Sequence, residues 1–100
     1  MVDDMTTLHV VATLPIDPAH AAEAAPVLAE LAVGSRGDAG CLAYDVYASA
    51  STPGVFVVVE EWESQADLDA HGKQPHLRTA FKAFGGWLVG DVAVHPLKTV

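Results

Sequence analysis

Cysteine and basic residues are scarce in this sequence, and each shortage excludes a class of protein. Cys41 is the only cysteine, so no intramolecular disulfide can form, and a reducing compartment suits the chain. Five Lys and Arg residues stand against 13 Asp and Glu, which gives a formal net charge of −8. Because a surface of that sign repels phosphate backbones, nucleic acid is not an expected partner.

Long apolar stretches are also missing. No run approaches the ~20 apolar residues that a membrane-spanning helix needs, so no membrane association is expected. Near the N-terminus, Asp3 and Asp4 occur without a basic segment and a following apolar run, so a secretory signal is not expected either. We therefore expect the mature chain to begin near Met1 or Met5 and to be cytoplasmic.

The sequence does contain enough apolar residues for one core. Hydrophobic residues make up 51% of the chain and charged residues 18%, which is typical of a globular protein and not of a disordered one. A chain of 100 residues supports one domain, because a second would have too little core. We expect a single domain over residues 1–100, with residues 1–6 disordered.

Proline and glycine positions, together with the periodicity of apolar residues, predict where strands and helices begin and end. The predicted strands cover about residues 8–14, 42–48, 55–62 and 91–95. The predicted helices cover about residues 17–35 and 64–84, the second in two pieces separated near Pro75. The order β-α-β-β-α-β predicts a ferredoxin-like α+β fold, in which helices cover one face of a four-stranded antiparallel sheet.

Two prolines bear on the first predicted helix. Asp17 followed by Pro18 is typical of an N-cap and a first helical residue. Pro26 lacks the N–H group that would bond to the carbonyl of Ala22. We therefore expect either a kink at Pro26 or a helix that begins nearer Ala25.

The third predicted strand lacks the alternation of a half-buried strand. Residues 55–59 read VFVVV, and the first strand shows the same tendency at residues 10–12. A continuous apolar run indicates burial on both faces, whereas the helices cover only one. We expect a homodimer in which a second copy covers the other face, the alternative being an apolar face that stays exposed.

Three motifs, in this order, resemble those of the antibiotic biosynthesis monooxygenase family. Residues 36–44 (RGDAGCLAY) resemble its arginine, short loop, Gly-Cys-Leu and tyrosine, and residues 60–64 (EEWES) resemble its E-x-W strand end. Residues 70–76 (AHGKQPH), with Leu68 and Phe81, are similar to its helical stretch. The resemblance covers nearly the whole chain and is closest to the quinol monooxygenase branch. It implies a dimeric α+β barrel of ferredoxin-like subunits.

The resemblance implies more than one activity. Members similar to this chain oxidise quinols or anthrones with molecular oxygen and without a metal or prosthetic group. We therefore expect a cofactor-independent monooxygenase that acts on a small aromatic substrate. Because other members isomerise small signalling molecules or have no assigned activity, the alternatives are a non-catalytic or ligand-binding dimer and an isomerase of a small hydroxyketone. The heme-degrading branch fits badly, since it has a tryptophan at the position of His71 and a histidine near Phe81.

His71 and His76 are the candidate catalytic residues, since imidazole exchanges protons near neutral pH. Each also has a structural interpretation. His71 could cap the break between the two helical pieces, and His76 could serve at a helix start or an interface. The two histidines have no third ligand at a coherent spacing, so neither a metal nor another cofactor is expected.

The candidate substrate-binding residues are aromatic, and each is also a candidate core residue: Tyr44, Trp62, Phe81 and Phe84. Tyr44 and Tyr47 point to opposite sides of their predicted strand, so only one of them can face the helices. Glu60 shares the face of Trp62, and we expect it to form a structural ion pair with Arg36.

Overall fold

The computed structural model describes residues 7–100, and the expected disorder of residues 1–6 lies outside that range. Its strands are β1 (Leu8–Pro15), β2 (Cys41–Ala48), β3 (Val55–Trp62) and β4 (Ala93–Leu97). Its helices are α1 (Ala21–Arg36), α2 (Gln65–His71) and α3 (Pro75–Phe84), with single 3₁₀ turns at Pro18–His20 and Gly85–Trp87. No helix within residues 7–100 is long and apolar enough to cross a bilayer.

The strands form one antiparallel sheet in the order β2-β3-β1-β4. The two strands with apolar runs, β1 and β3, are therefore central, and β2 and β4 are the edges. In the register of the sheet, Glu60 lies between Val10 on one side and Tyr44 on the other. The predicted ferredoxin-like α+β fold, with its four-stranded antiparallel sheet, is confirmed.

The start of the first helical segment confirms the predicted cap at Asp17 and excludes one of the two alternatives for Pro26. The carboxylate of Asp17 caps a 3₁₀ turn, accepting a hydrogen bond from the N–H of Ala19 at 3.0 Å. The α-helix then begins at Ala21 and includes Pro26, so the expected start nearer Ala25 is wrong. A proline so close to the helix start removes one backbone hydrogen bond, and burial of the apolar stripe that follows offsets this loss.

One face of the sheet packs against the helices and forms the core. Alternate residues of β1 and β3 point to this face, as the period of two requires. The buried residues on these strands are Val10, Ala12, Leu14, Phe56, Val58, Glu60 and Trp62. From α1 they meet Ala24, Leu28, Leu31 and Ala32, and from α3 they meet Ala80 and Phe84.

The opposite face of the sheet, which we call the open face, has a different character. One row across it contains Tyr47, Val57, Thr13 and Ala93, and the next contains Asp45, Val59, Val11 and His95. Tyr47 is 56% exposed and Val59 is 40% exposed. Within the described chain, this face has apolar side chains that no helix covers.

Candidate functional site

A cavity of about 210 Å³ lies between the sheet and the helices. Its wall is mostly aliphatic, with residues from all four strands and all three helices. The ionisable side chains on the wall belong to Tyr44, Glu60 and His71. A cavity of ~150 Å³ lined by apolar residues already holds benzene, so this one accommodates a single aromatic ring.

His71 and His76 meet at the carboxylate of Asp38. The N–H at Nδ1 of His71 donates to Oδ2 of Asp38 at 2.8 Å, and Nε2 of His76 donates to the same oxygen at 3.0 Å. His71 ends α2, His76 lies in the first turn of α3, and Asp38 lies in the loop after α1. The side chains of Asp38 and His71 are buried, and that of His76 is 27% exposed. We call these three residues the His–Asp cluster.

Asp38 is the residue that the sequence did not single out. It lies 33 positions before His71 and 38 before His76, so no local spacing connects it to either histidine. The available signal was its place in RGDAGCLAY, where it is the only acidic residue. A carboxylate inside a motif loop is a reason to look for a partner elsewhere in the fold.

The Asp38 hydrogen bond determines the tautomer of His71. A carboxylate acceptor at Nδ1 places the ring proton there and leaves Nε2 as an acceptor. His71 lines the cavity, whereas Asp38 does not. The ring is also held by Trp62 and Tyr44, with centroid separations of 4.8 and 5.4 Å. His71 is therefore an oriented hydrogen-bond acceptor at an apolar cavity.

Glu60 pairs with Trp62, and the predicted ion pair with Arg36 is wrong. Oε1 of Glu60 accepts a hydrogen bond from the indole N–H of Trp62 at 2.8 Å. The Arg36 guanidinium instead donates to the carbonyl of Tyr44 at 3.0 Å and to Asp45 at 3.2 Å. Glu60 and Arg36 do not pair because Glu60 faces the interior, whereas Arg36 lies at the end of α1, outside the edge strand β2. Burial raises the pKa of Glu60, and the hydrogen bond from Trp62 opposes that shift.

Tyr44 is the tyrosine that faces the helices, and Tyr47 lies on the open face. Tyr44 is buried and lines the cavity. Burial raises the pKa of Tyr44 well above its usual range, and the negative charge of Glu60 acts in the same direction. The phenol therefore keeps its proton at neutral pH and remains a hydrogen-bond donor.

The other aromatic candidates divide between the cavity wall and the core. Phe81 lines the cavity. Phe84 is fully buried and packs against Phe81 with a centroid separation of 4.7 Å, but it does not line the cavity. Trp62 is also fully buried, and it supports Glu60 and His71 from behind. Of the four predicted substrate-binding residues, Tyr44 and Phe81 are therefore in a position to touch a bound molecule.

Taken together, these features define a class: a ferredoxin-like α+β protein with an apolar cavity and an oriented histidine beside it. Residues 7–83 match the antibiotic biosynthesis monooxygenase family, and the chain belongs to this family. The resemblance of its motifs to that family is thereby confirmed. No protein among those with curated functions matches significantly.

Solved structures agree with this assignment. A crystal structure described as an antibiotic biosynthesis monooxygenase is 31% identical over 93% of this chain and 98% of its own, with a TM-score of 0.87. A protein from Caulobacter crescentus is 33% identical over 95% of this chain and 91% of its own, also with a TM-score of 0.87. A protein from Mycobacterium tuberculosis is 28% identical, covers 95% of this chain and 96% of its own, and has a TM-score of 0.84.

Proposed function

We propose that this protein is a monooxygenase that oxidises a small electron-rich aromatic molecule with molecular oxygen and without a cofactor. The observation that carries the proposal is the cavity, in which His71 and Tyr44 lie on an otherwise mostly aliphatic wall. A fold kept only as a scaffold has no need for a cavity with a histidine and a tyrosine on its wall. The family to which the chain belongs supports the reaction class.

The volume of the cavity bears on the substrate. At about 210 Å³ it exceeds the ~150 Å³ that holds one benzene ring, but not by enough for two further fused rings. A single-ring quinol is therefore a better candidate than a three-ring anthrone. The aliphatic wall does not favour an isomerase of a small hydroxyketone, which needs a more polar pocket.

In the proposed reaction, His71 accepts the proton of a substrate hydroxyl at Nε2. Asp38 holds the ring in the required tautomer and stabilises the imidazolium that forms, and His76 helps to position Asp38. The deprotonated aromatic ring is itself the reductant. One atom of O₂ replaces a ring hydrogen and becomes a hydroxyl oxygen, the other leaves as water, and the quinol supplies all four electrons as it is oxidised to a hydroxyquinone.

The remaining groups at the cavity have supporting roles. Tyr44 donates a hydrogen bond to the oxygen of the substrate on which negative charge develops, and it does so away from water. Phe81 packs against the ring of the substrate. Trp62 and Phe84 support this wall from the core, and Trp62 holds Glu60 in place.

We also propose a homodimer formed through the open face. That face carries Val11, Val57 and Val59 on the two central strands, and the helices pack on the other side. A second copy related by a two-fold axis would cover the same residues on both subunits. Size measurement at low micromolar concentration should give about twice the chain mass.

Oxygen consumption tests the proposed activity directly. Purified protein is incubated with a panel of single-ring quinols and with anthrone, each with and without a chelator. We expect turnover of at least one quinol in both conditions. Binding of quinols without oxygen uptake would overturn the proposal in favour of a non-catalytic ligand-binding dimer.

A further inference from the structure

We propose that the His–Asp cluster is a binding site for one divalent transition-metal ion, such as zinc. Oδ2 of Asp38, Nδ1 of His71 and Nε2 of His76 all lie within 4.8 Å of one another. The sequence predicted no metal because His71 and His76 had no third ligand at a coherent spacing. The fold supplies the missing third ligand.

The type of ligand suits such an ion. Two imidazole nitrogens and one carboxylate oxygen, with a fourth position left for water, form a common set for zinc and neighbouring metals. Metal–ligand distances of ~2.0–2.2 Å place tetrahedral ligands ~3.4 Å apart. The two nitrogens lie 2.8 and 3.0 Å from the shared oxygen, and all three atoms lie within 4.8 Å of one another, so the three ligands are already gathered around one position and adjust their spacing when an ion replaces the shared protons.

The three ligands are held by separate parts of the fold. Backbone hydrogen bonds from Asp38 to Ser35 at 3.0 Å and from Cys41 to Asp38 at 3.1 Å secure the loop. In the same loop, Gly40 has a φ of +77° and contacts the side chain of Asp67, where no larger residue fits. A site whose ligands are already ordered loses little conformational entropy on binding an ion.

Charge and access favour an ion at this position. Within residues 7–100, the two histidines are the only basic side chains within ion-pair distance of the Asp38 carboxylate, and Arg36 pairs with Asp45 instead. An arriving cation therefore competes with protons and not with a fixed positive charge. The partly exposed ring of His76 provides a route from solvent, and the net charge of −8 attracts cations to the surface.

Metal binding and the proposed base exclude each other. An ion at Nδ1 of His71 leaves the ring proton on Nε2, which then donates a hydrogen bond and no longer accepts one. The metal-bound protein would thus be inactive in the proposed reaction. The metal site itself rests on geometry alone and does not depend on that reaction.

Calorimetric titration with zinc, after dialysis against a chelator, tests the site. We expect one ion per chain in the wild type and at least about tenfold weaker binding in His76→Ala and Asp38→Asn. The matched control is His20→Ala, because His20 pairs with Glu23 at 2.8 Å on the surface, and its removal should leave zinc affinity unchanged. Zinc should raise the melting temperature of the wild type and of His20→Ala, and should raise that of His76→Ala less.

Two results would overturn the metal site. One is the absence of zinc binding to the folded wild type, and the other is equal affinity in the wild type, His76→Ala and Asp38→Asn. If His76→Ala does not fold, His76→Gln replaces it, since this position is partly exposed and tolerates a polar side chain of similar length. Oxygen uptake in the presence of a chelator is measured separately, so failure of the metal site leaves the oxygenase proposal intact.

Discussion

The two faces of the sheet share a backbone but differ in what surrounds them. On the helix-covered face, apolar side chains enclose a few ionisable groups, and Glu60 and His71 each have a defined hydrogen-bond partner. On the open face, valines alternate across the strands with Asp45, Thr13 and His95, and none of the helices in residues 7–100 lies above them. One face therefore carries a site inside a single chain, and the other carries a surface that a second chain can complete.

Two aspartate substitutions, one on each face of the sheet, test the difference between the faces. We expect the largest loss of stability from the one on the helix-covered face. Val58 is buried against the helices, so Val58→Asp should unfold the chain at a cost of several kcal/mol, because an unpaired carboxylate enters the core. Val57 points to the open face, so Val57→Asp should leave a folded monomer. Circular dichroism melts measure whether each variant folds, and light scattering measures whether it is a monomer or a dimer. A dimeric Val57→Asp variant would contradict the proposed interface.

Removal of the base tests the helix-covered face. We expect His71→Ala to lower oxygen consumption by ~100- to 10,000-fold, as is typical for loss of a general base. The fold should persist, because His71 ends α2 and lies outside the sheet. His20→Ala serves as the control for loss of an imidazole. Full activity in His71→Ala would remove this residue from the mechanism.

The Glu60–Trp62 contact predicts a smaller effect, this time on stability. Glu60→Ala leaves the indole N–H of Trp62 buried without a partner, which typically costs ~1–3 kcal/mol. Glu60→Gln keeps an acceptor oxygen and should lose much less. With a shift of ~4–8 °C per kcal/mol for a domain of this size, thermal melts resolve the two variants. Equal melting temperatures would mean that the hydrogen bond contributes nothing.

Chelation should have the smallest effect of all. Exhaustive treatment with a chelator is expected to leave quinol oxidation unchanged or to raise it, because the proposed reaction needs no metal. Added zinc should lower the rate if it occupies the His–Asp cluster. Both are measured by oxygen uptake. A loss of activity on chelation that added metal restores would show that the reaction depends on a metal.

The fold was predictable because its signals are local. The apolar runs of β1 and β3 and the breaks at Pro15 and Pro75 act over a few residues each, and the structure places strands and helices there. Asp17 and Pro18 were predicted correctly as the cap and first residue of the helical segment, but the alternative of a start nearer Ala25 was wrong, since the penalty of Pro26 was weighed without the burial that offsets it. Intrinsic preferences are small next to tertiary packing.

The site was predictable only in its parts. His71 and His76 stood out because of their motif, and Tyr44 and Phe81 because they are aromatic. Their partners did not stand out. Asp38 reaches both histidines across more than thirty positions, and Glu60 takes its hydrogen bond from Trp62 and not from Arg36. These hydrogen bonds depend on where each side chain points in the folded protein, which residue spacing along the chain does not show.

The sequence by itself determined the order of elements, the apolar character of both sides of β3 and the presence of two histidines within one helical motif. The order of elements and the apolar character follow from composition and from periods of two and 3.6 residues, and the two histidines stand out through the resemblance of their motif to the family. Only the tertiary structure decided which acid joins the histidines, which tyrosine faces the cavity and how large that cavity is. The physical reason is that hydrogen bonds and cavity walls require atoms from distant parts of the chain to lie within a few ångströms of one another. Those contacts form only when the helices pack on the sheet.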